Sequence, residues 1–261
     1  GDHYWTIDTR TRAVVNITKA VPAAFVNRES DATVKQKPDF GVAGWTKDDA
    51  AVLLYDKFDI WKVPTDGSKA QKLTDGGRGQ VRHRLLRIGQ EEDWLDLSKP
   101  LYVSLFGTWS KKSGYGLLKP AGGVDRLVFM DKSIGGLSKA READVYAYTM
   151  QDYDDSPDLF VGGADLKSAK QITNTNEFQS KYAWGKSETV DFATDKGMKL
   201  QGTLYYPAGY EKGKQYPMIV YLYEKLSDGV HSYVVPSDKS YYNITVFMSQ
   251  GYFVFEPDIV F

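Results

Sequence analysis

His3, His83 and His231 are the only imidazoles in the chain, and each is a candidate general base. A base must stand about 2.6–3.2 Å from the proton it takes, and no nucleophile lies beside any of the three in sequence. Ser227-Asp228-Gly229-Val230-His231-Ser232 could supply His231 and Asp228 as two parts of a hydrolytic triad. The histidines are widely separated and show no His-x-x-x-His spacing, so no metal site is expected. Cysteine is absent, which excludes disulfides, thiolate nucleophiles and Cys-based zinc sites. Gly76-Gly77-Arg78-Gly79 lacks the strand–helix setting of a dinucleotide loop. Arg78, Arg82, His83, Arg84 and Arg87 form a basic stretch. On a strand, Arg82 and Arg84 face one side, by default solvent, while Val81, His83 and Leu85 face the other. The net charge of −1 excludes a nucleic-acid footprint. Asn16-Ile17-Thr18 and Asn243-Ile244-Thr245 fit the glycosylation pattern, which matters only on a eukaryotic secretory route.

Short strands must position these residues over most of the chain. Up to about residue 185, apolar or alternating runs are broken by Asp, Gly, Pro and Asn: Ala51–Tyr55, Asp59–Val63, Leu101–Phe106, Arg126–Met130 and Asp144–Tyr148. Such runs predict antiparallel β-structure. Thr65-Asp66-Gly67-Ser68 predicts a hairpin turn, since Gly tolerates positive φ. A repeat organises them. Asp59-Ile60-Trp61 with Asp66, Ala70 and Leu73-Thr74 recurs as Asp158-Leu159-Phe160 with Asp165, Ala169 and Ile172-Thr173. A looser copy runs from Tyr4-Trp5-Thr6-Ile7-Asp8 to Asn16-Ile17-Thr18. Four-stranded units of roughly 40–50 residues suggest propeller blades; a sandwich with chance similarity between hairpins is the alternative. The spacing predicts a longer or less regular blade between Arg87 and Asp144.

Near residue 186 the character changes. Thr189–Thr194, the turn Asp195-Lys196-Gly197 and Lys199–Pro207 predict a hairpin. Tyr216–Tyr223 is an unbroken apolar run of the kind buried on both faces of a sheet. Tyr241–Gln250 reads as a short helix closed by Gly251, and Tyr252–Glu256 as a second buried strand. This is how an α/β sheet begins. The composition, 42% hydrophobic and 26% charged in 261 residues, suits one large domain or two smaller ones. The 14% aromatic content favours β-structure. No run approaches the ~18 apolar residues of a membrane span, and no signal-peptide pattern is present. A chain that opens in strand at Gly1-Asp2-His3-Tyr4-Trp5 and closes on Val260-Phe261 reads as a fragment.

The run ETVDFATDKGMKLQGTLYYPAGYEKGKQYPMIVYLYEKLSDGVHSY, followed by SQGYFVFEPDIVF, resembles the opening of the α/β-hydrolase domain in prolyl oligopeptidases and dipeptidyl peptidases, in particular a bacterial branch. SPDLFVGGADLKSAKQIT resembles that family's last propeller blades. The similarity spans Asp144–Phe261 and, more loosely, Trp45–Thr74. It implies a mainly β protein: a partial β-propeller over residues 1–185, then the incomplete N-terminal part of an α/β-hydrolase domain over 186–261. It also implies a serine peptidase of short peptides, working through an acyl-enzyme on a Ser, His and Asp, with no metal or cofactor. Its site is periplasmic or secreted, by resemblance alone.

The nucleophile of that fold sits in a G-x-S-x-G elbow, and no such elbow occurs here. Ser133-Ile134-Gly135-Gly136 has Asp131 where a Gly should stand. Family order places the catalytic His after the nucleophile, which makes His231 a loop residue. The resemblance places the oxyanion-hole Tyr just after the first buried strand, at Tyr223; the alternative is that Tyr223 packs at a strand end, and Tyr221 fits less well. Glu224-Lys225-Leu226 replaces the family's Gly-rich turn and Pro. Dipeptidyl peptidases hold the substrate amino terminus with paired glutamates, but Glu91-Glu92-Asp93 lacks the helical setting and reads as a solvated turn. The expected partners are a peptide substrate and whatever covers the open sheet edges, either the rest of the protein or another copy. The alternative function is a non-catalytic propeller module that binds peptide or protein. A closed N-terminal sandwich, or Met218–Tyr223 on a solvent-facing sheet margin, would overturn the peptidase reading.

Overall fold

The computed structural model describes residues 2–30, 32–89 and 93–259. It divides into two compact units, each described by itself. The first comprises Gly1–Thr108, Ser113–Phe129 and Lys139–Arg141; the second comprises Trp109–Lys112, Met130–Ser138 and Glu142–Phe261.

The first unit opens with β1 (Trp5–Ile7) and β2 (Val14–Asn16), an antiparallel pair that forms its own sheet. Next come β3 (Val42–Trp45), β4 (Ala51–Tyr55), β5 (Ile60–Pro64) and β6 (Gln71–Lys72), an antiparallel meander in chain order. Every residue of β4 is buried, because β4 has strands on both sides and packing on both faces. Leu53, Tyr55 and Ile60 join Val81, Val103 and Leu105 in one core cluster. Val52, Leu54, Trp61 and Val63 pack oppositely, against Ile17 and Phe25. The third sheet holds β7 (Val81–Leu85), β8 (Leu101–Gly107), β9 (Ser113–Leu118) and β10 (Val124–Met130) in sequential order. Its irregularity is the long connection between β7 and β8, in which Leu95 is buried. Glu91 and Glu92 lie outside the described residues.

On β7 the expected alternation holds, with Val81 and His83 buried. The arginines are not simply solvated: the Arg82 guanidinium lies 5.1 Å from the Phe106 ring and that of Arg84 4.4 Å from Tyr55. Arg84 also donates to the carbonyls of His83 and Asp56, and burial, with the nearby Arg82 charge, lowers its pKa to about 10.

The second unit contains β11 (Ser133–Lys139), β12 (Tyr146–Asp152), β13 (Asp155–Gly162) and β14 (Lys170–Gln171), again a sequential meander. Its other sheet is built from β15 (Ser187–Ala193), β16 (Lys199–Tyr205), β17 (Met218–Val220) and β18 (Phe253–Pro257), ordered β15-β16-β18-β17. β15 and β16 form the expected hairpin, β16 meets β18 antiparallel, and β17 meets β18 parallel. The parallel step requires a crossover, and this one contains helix α1 (Ile244–Ser249). Asn243 caps α1 by accepting from the Val246 amide, and Gly251, at φ +88°, ends the turn that follows. Asn243 is thus buried and engaged, which removes it as a glycosylation acceptor.

One expectation fails. The run Tyr216–Tyr223 is not a doubly buried strand: it yields only the three residues of β17, at the sheet margin, with Met218 and Val220 half exposed. Burial on two faces needs cover on both, and among the described residues no strand lies beyond β17. The N-terminal strands form a two-stranded pair followed by successive four-stranded meanders.

The repeat has a physical meaning that periodicity alone does not reveal. The Thr74 hydroxyl accepts from the Ile60 amide at 3.0 Å and donates to Asp59 Oδ1 at 2.6 Å. That carboxylate also accepts from the amides of Gly76 and Gly77. In the other copy the Thr173 hydroxyl accepts from the Leu159 amide and donates to Asp158 Oδ1, each at 2.8 Å, and Asp158 also takes the Thr175 amide. Each clasp ties a blade's third strand to the segment just after its fourth. In the looser copy Thr18 accepts from the Tyr4 amide at 2.9 Å, and His3 takes the Asp position, Nδ1 3.3 Å from the Thr18 hydroxyl.

Candidate functional site

In open α/β sheets, ligands bind beyond the carboxyl ends of parallel strands. Here those ends are the residues after Val220 and after Pro257. The Tyr221 amide continues the β17–β18 ladder by donating to the Phe255 carbonyl at 2.9 Å. Tyr223 follows at the strand's exit, its side chain 55% exposed. Its ring stacks at 6.5 Å on Tyr221, which lies 5.4 Å from Tyr242. Tyr223 is therefore neither packed into the core nor buried in the sheet.

The turn after Tyr223 is fastened to the end of β18. The Ile259 amide donates to the Glu224 carbonyl at 2.9 Å. Asp258 accepts from the Ser227 amide at 2.9 Å and from the Ser227 hydroxyl at 2.6 Å. Ser227 is fully buried and Asp258 nearly so. Glu224 stands at φ +51°, the left-handed conformation glycine adopts most readily. Without glycine, this turn still takes a glycine-like backbone, held by bonds on either side. Sequence reasoning did not pick out Asp258 and Ser227, and no local signal could have, because the two stand 31 residues apart.

Behind the turn, Glu256 points into the core. Among the described residues, the Tyr205 hydroxyl donates to its Oε2 at 3.3 Å. Burial raises the Glu256 pKa to about 7. Burial, with the nearby Glu256 charge, also pushes the Tyr205 phenol far above its usual range. Tyr205 packs edge-on against Tyr153 at 5.1 Å, within a cluster that includes Met248 and Val254.

The other candidates scatter. His231 pairs with Asp152 (Nδ1–Oδ1 3.0 Å) rather than with Asp228, whose carboxylate is 2.8 Å from the buried Lys111 ammonium. The reason is burial: burying Lys111 demands a counter-charge. Burial would raise the Asp152 pKa, but bonds from His231 and the Tyr153 amide outweigh it and lower it. Ser133 is the first residue of β11, not an elbow residue. His83 is buried on β7 with Nδ1 unpartnered and 3.9 Å from Asp59, and burial lowers its pKa. Among the described residues no group of three His, Asp or Glu could hold a metal ion, and no helix is long and apolar enough to cross a membrane.

No protein-family model and no curated protein sequence matches the chain. Solved structures do. Dipeptidyl peptidase 4 from Porphyromonas gingivalis aligns at a TM-score of 0.61 and 13% identity, over 83% of this chain and 30% of that one. The AtxE2 isopeptidase aligns at 0.56 and 14% identity, over 99% and 37%. Pyrococcus horikoshii acylaminoacyl peptidase aligns at 0.52 and 14% identity, over 88% and 34%. At such identities the likeness carries the fold alone, and the chain spans about a third of the length of each of these proteins. What it shares with them is the fold: a partial β-propeller of four-stranded blades followed by the first strands of an α/β-hydrolase sheet.

Proposed function

We propose that this chain is part of a serine peptidase of the prolyl oligopeptidase family that cleaves short peptides by acyl transfer. Residues 1–185 are its late propeller blades and residues 186–261 the start of its hydrolase domain. The observation that carries the reading is the placing of Tyr223. A hairpin leads into a parallel pair, and at the carboxyl end of that pair an exposed phenol stands on a turn clasped by Asp258. A phenol so placed can donate to the oxygen that gains negative charge when a nucleophile adds to a peptide carbonyl. The donor acts on the tetrahedral species more than on the substrate, so its contribution falls on the rate rather than on binding. The nucleophile, base and orienting Asp belong to the rest of the protein. The edges left open at β17 would be covered there or by a second copy.

The test is Tyr223→Phe in the full-length protein. The expected result is a fall in kcat of about 10²–10³-fold, the usual effect of losing one oxyanion donor, with KM little changed. An unchanged kcat would remove Tyr223 from the site. If the full-length sequence carries no Gly-x-Ser-x-Gly elbow, the peptidase reading gives way to a non-catalytic module that binds peptide or protein. The chain by itself should neither turn over a chromogenic dipeptide substrate nor react with a fluorophosphonate probe.

A further inference from the structure

Lys111 lies on the turn between β8 and β9, beside the exposed Trp109 and Ser110, yet it is itself only 4% exposed. Its backbone is left-handed, at φ +58°, a conformation that any residue with a Cβ resists. Lysine is almost never fully buried unless it is paired. The partner here is Asp228, at 2.8 Å, whose side chain is 50% exposed. The two ends of this pair therefore differ in need. Asp228 could stand in water without a partner, whereas the buried ammonium demands a counter-charge. That demand sets the pair apart from a surface ion pair, which is screened and worth little.

The segment Trp109–Lys112 belongs to the second unit, and within that unit its bonds close a ring. The Trp109 carbonyl accepts from Gln201 Nε2 at 3.0 Å. The Gln201 carbonyl accepts from the Asp258 amide at 2.8 Å. The Asp258 carboxylate takes the Ser227 amide and hydroxyl, and the next residue, Asp228, returns to Lys111. Lys111, Gln201, Ser227 and Asp258 are all buried. Tyr223 stands just ahead of this ring, on the turn whose far end Ser227 and Asp228 form. The bond from the Ile259 amide to the Glu224 carbonyl fixes the near end.

We propose that Lys111 is a positioning residue for the oxyanion donor: through Asp228 and Ser227 it sets the turn that aims the Tyr223 phenol. The proposal rests on the assignment of Tyr223 as that donor. Lys111 touches neither substrate nor reacting atoms, and its effect passes through geometry alone. A donor stabilises developing charge only when it is already within hydrogen-bond reach of the oxygen that gains it, and a displacement of about 1 Å can cost about 10²-fold in rate.

The experiment is a double-mutant cycle of Lys111→Met and Tyr223→Phe in the full-length protein. Methionine keeps an unbranched apolar stem and leaves the half-exposed Asp228 to solvent, so the tether is removed without stranding a buried charge. Lys111→Met alone is expected to lower kcat by about 10- to 100-fold with KM little changed. Its amide exchange should quicken at Ser227 and Ile259 while β16 stays slow. In the Tyr223→Phe background the same substitution should have no further effect on kcat, because the donor it places is already gone. Equal losses in both backgrounds would overturn the proposal, since the ion pair then acts independently of Tyr223. An unchanged kcat in Lys111→Met, beside a reduced kcat in Tyr223→Phe, overturns the positioning role and leaves the donor assignment standing. An inactive full-length protein, or an unchanged kcat in Tyr223→Phe, removes the donor and its positioning residue together. Should Lys111→Met not fold, Asp228→Ala breaks the same pair from its exposed side and carries the same cycle, with the same outcomes deciding.

Discussion

Asp59 and Glu256 are both buried carboxyls, and their surroundings drive them in opposite directions. Burial pushes the Asp59 pKa up, but bonds from Thr74, Lys72 and the Gly76 and Gly77 amides outweigh it and hold the group below its ordinary value. A depressed folded pKa contributes stability above the unfolded carboxylate range, near pH 4, that is lost as pH falls through the folded value. Asp59→Asn should therefore cost about 1–3 kcal/mol at pH 7 and progressively less below pH 4, as read by urea unfolding. Glu256 is the reverse case. It is raised to about 7 by burial, with a neutral hydroxyl partner. A raised carboxyl pKa favours the folded state at low pH, and that advantage fades between about 4.5 and 7. Glu256→Gln should accordingly stabilise the chain by roughly 1–3 kcal/mol at pH 8 and have little effect at pH 4.5. A pH-independent effect would mean that burial does not raise the Glu256 pKa above its unfolded value.

Among the elements, the turn from Tyr223 to Gly229 is held from both sides. It joins a three-residue edge strand to a short turn of 3-10 helix, Ser227–Gly229, and it is held by three bonds to Asp258 and Ile259. The left-handed Glu224 stores strain that the clasp offsets, of order 1–2 kcal/mol for a non-glycine residue. Glu224→Gly should leave the fold intact and raise Tm slightly. Asp258→Ala, which leaves Ser227 buried without its partner, should speed amide exchange at Ser227 and Ile259 far more than in β16. Uniform exchange changes would mean that the clasp does not hold this turn. The strands themselves were legible from apolar runs, and the hairpin Thr65–Ser68 from its Asp-Gly pair: Gly67 stands at φ +77° and Asp66 accepts from the Ser68 amide. The clasps were half legible. The repeat exposed Asp59, Thr74, Asp158 and Thr173, but their mutual bonds join residues fifteen apart in sequence, beyond what strand periodicity encodes.

At the scale of the whole molecule, β17 is the observation that weighs against the peptidase reading. Its margin position differs from the expected interior strand, and the half-exposed Met218 and Val220 mark a face without cover. The sheet order and the Tyr223 turn support the reading nonetheless, because an antiparallel hairpin leading into a parallel pair joined through α1 is how an α/β sheet opens. The exposed apolar residues of β17 should make the isolated chain prone to association. Its sedimentation coefficient is expected to rise with concentration unless the exposed residues are replaced by lysine.

By itself the sequence determined the class of structure. Alternating and apolar runs demand strands, the recurring Asp and aliphatic-Thr units demand equivalent blades, and the change near residue 186 brings a hairpin, helix and parallel strand. Those signals are local, set by side-chain period and turn chemistry. Only the tertiary structure decided that His231 faces Asp152, that β17 lies at a margin, and that Asp258 reaches back to Ser227. Each depends on which distant segments the burial of charged and apolar groups brings together, and no local pattern carries that information.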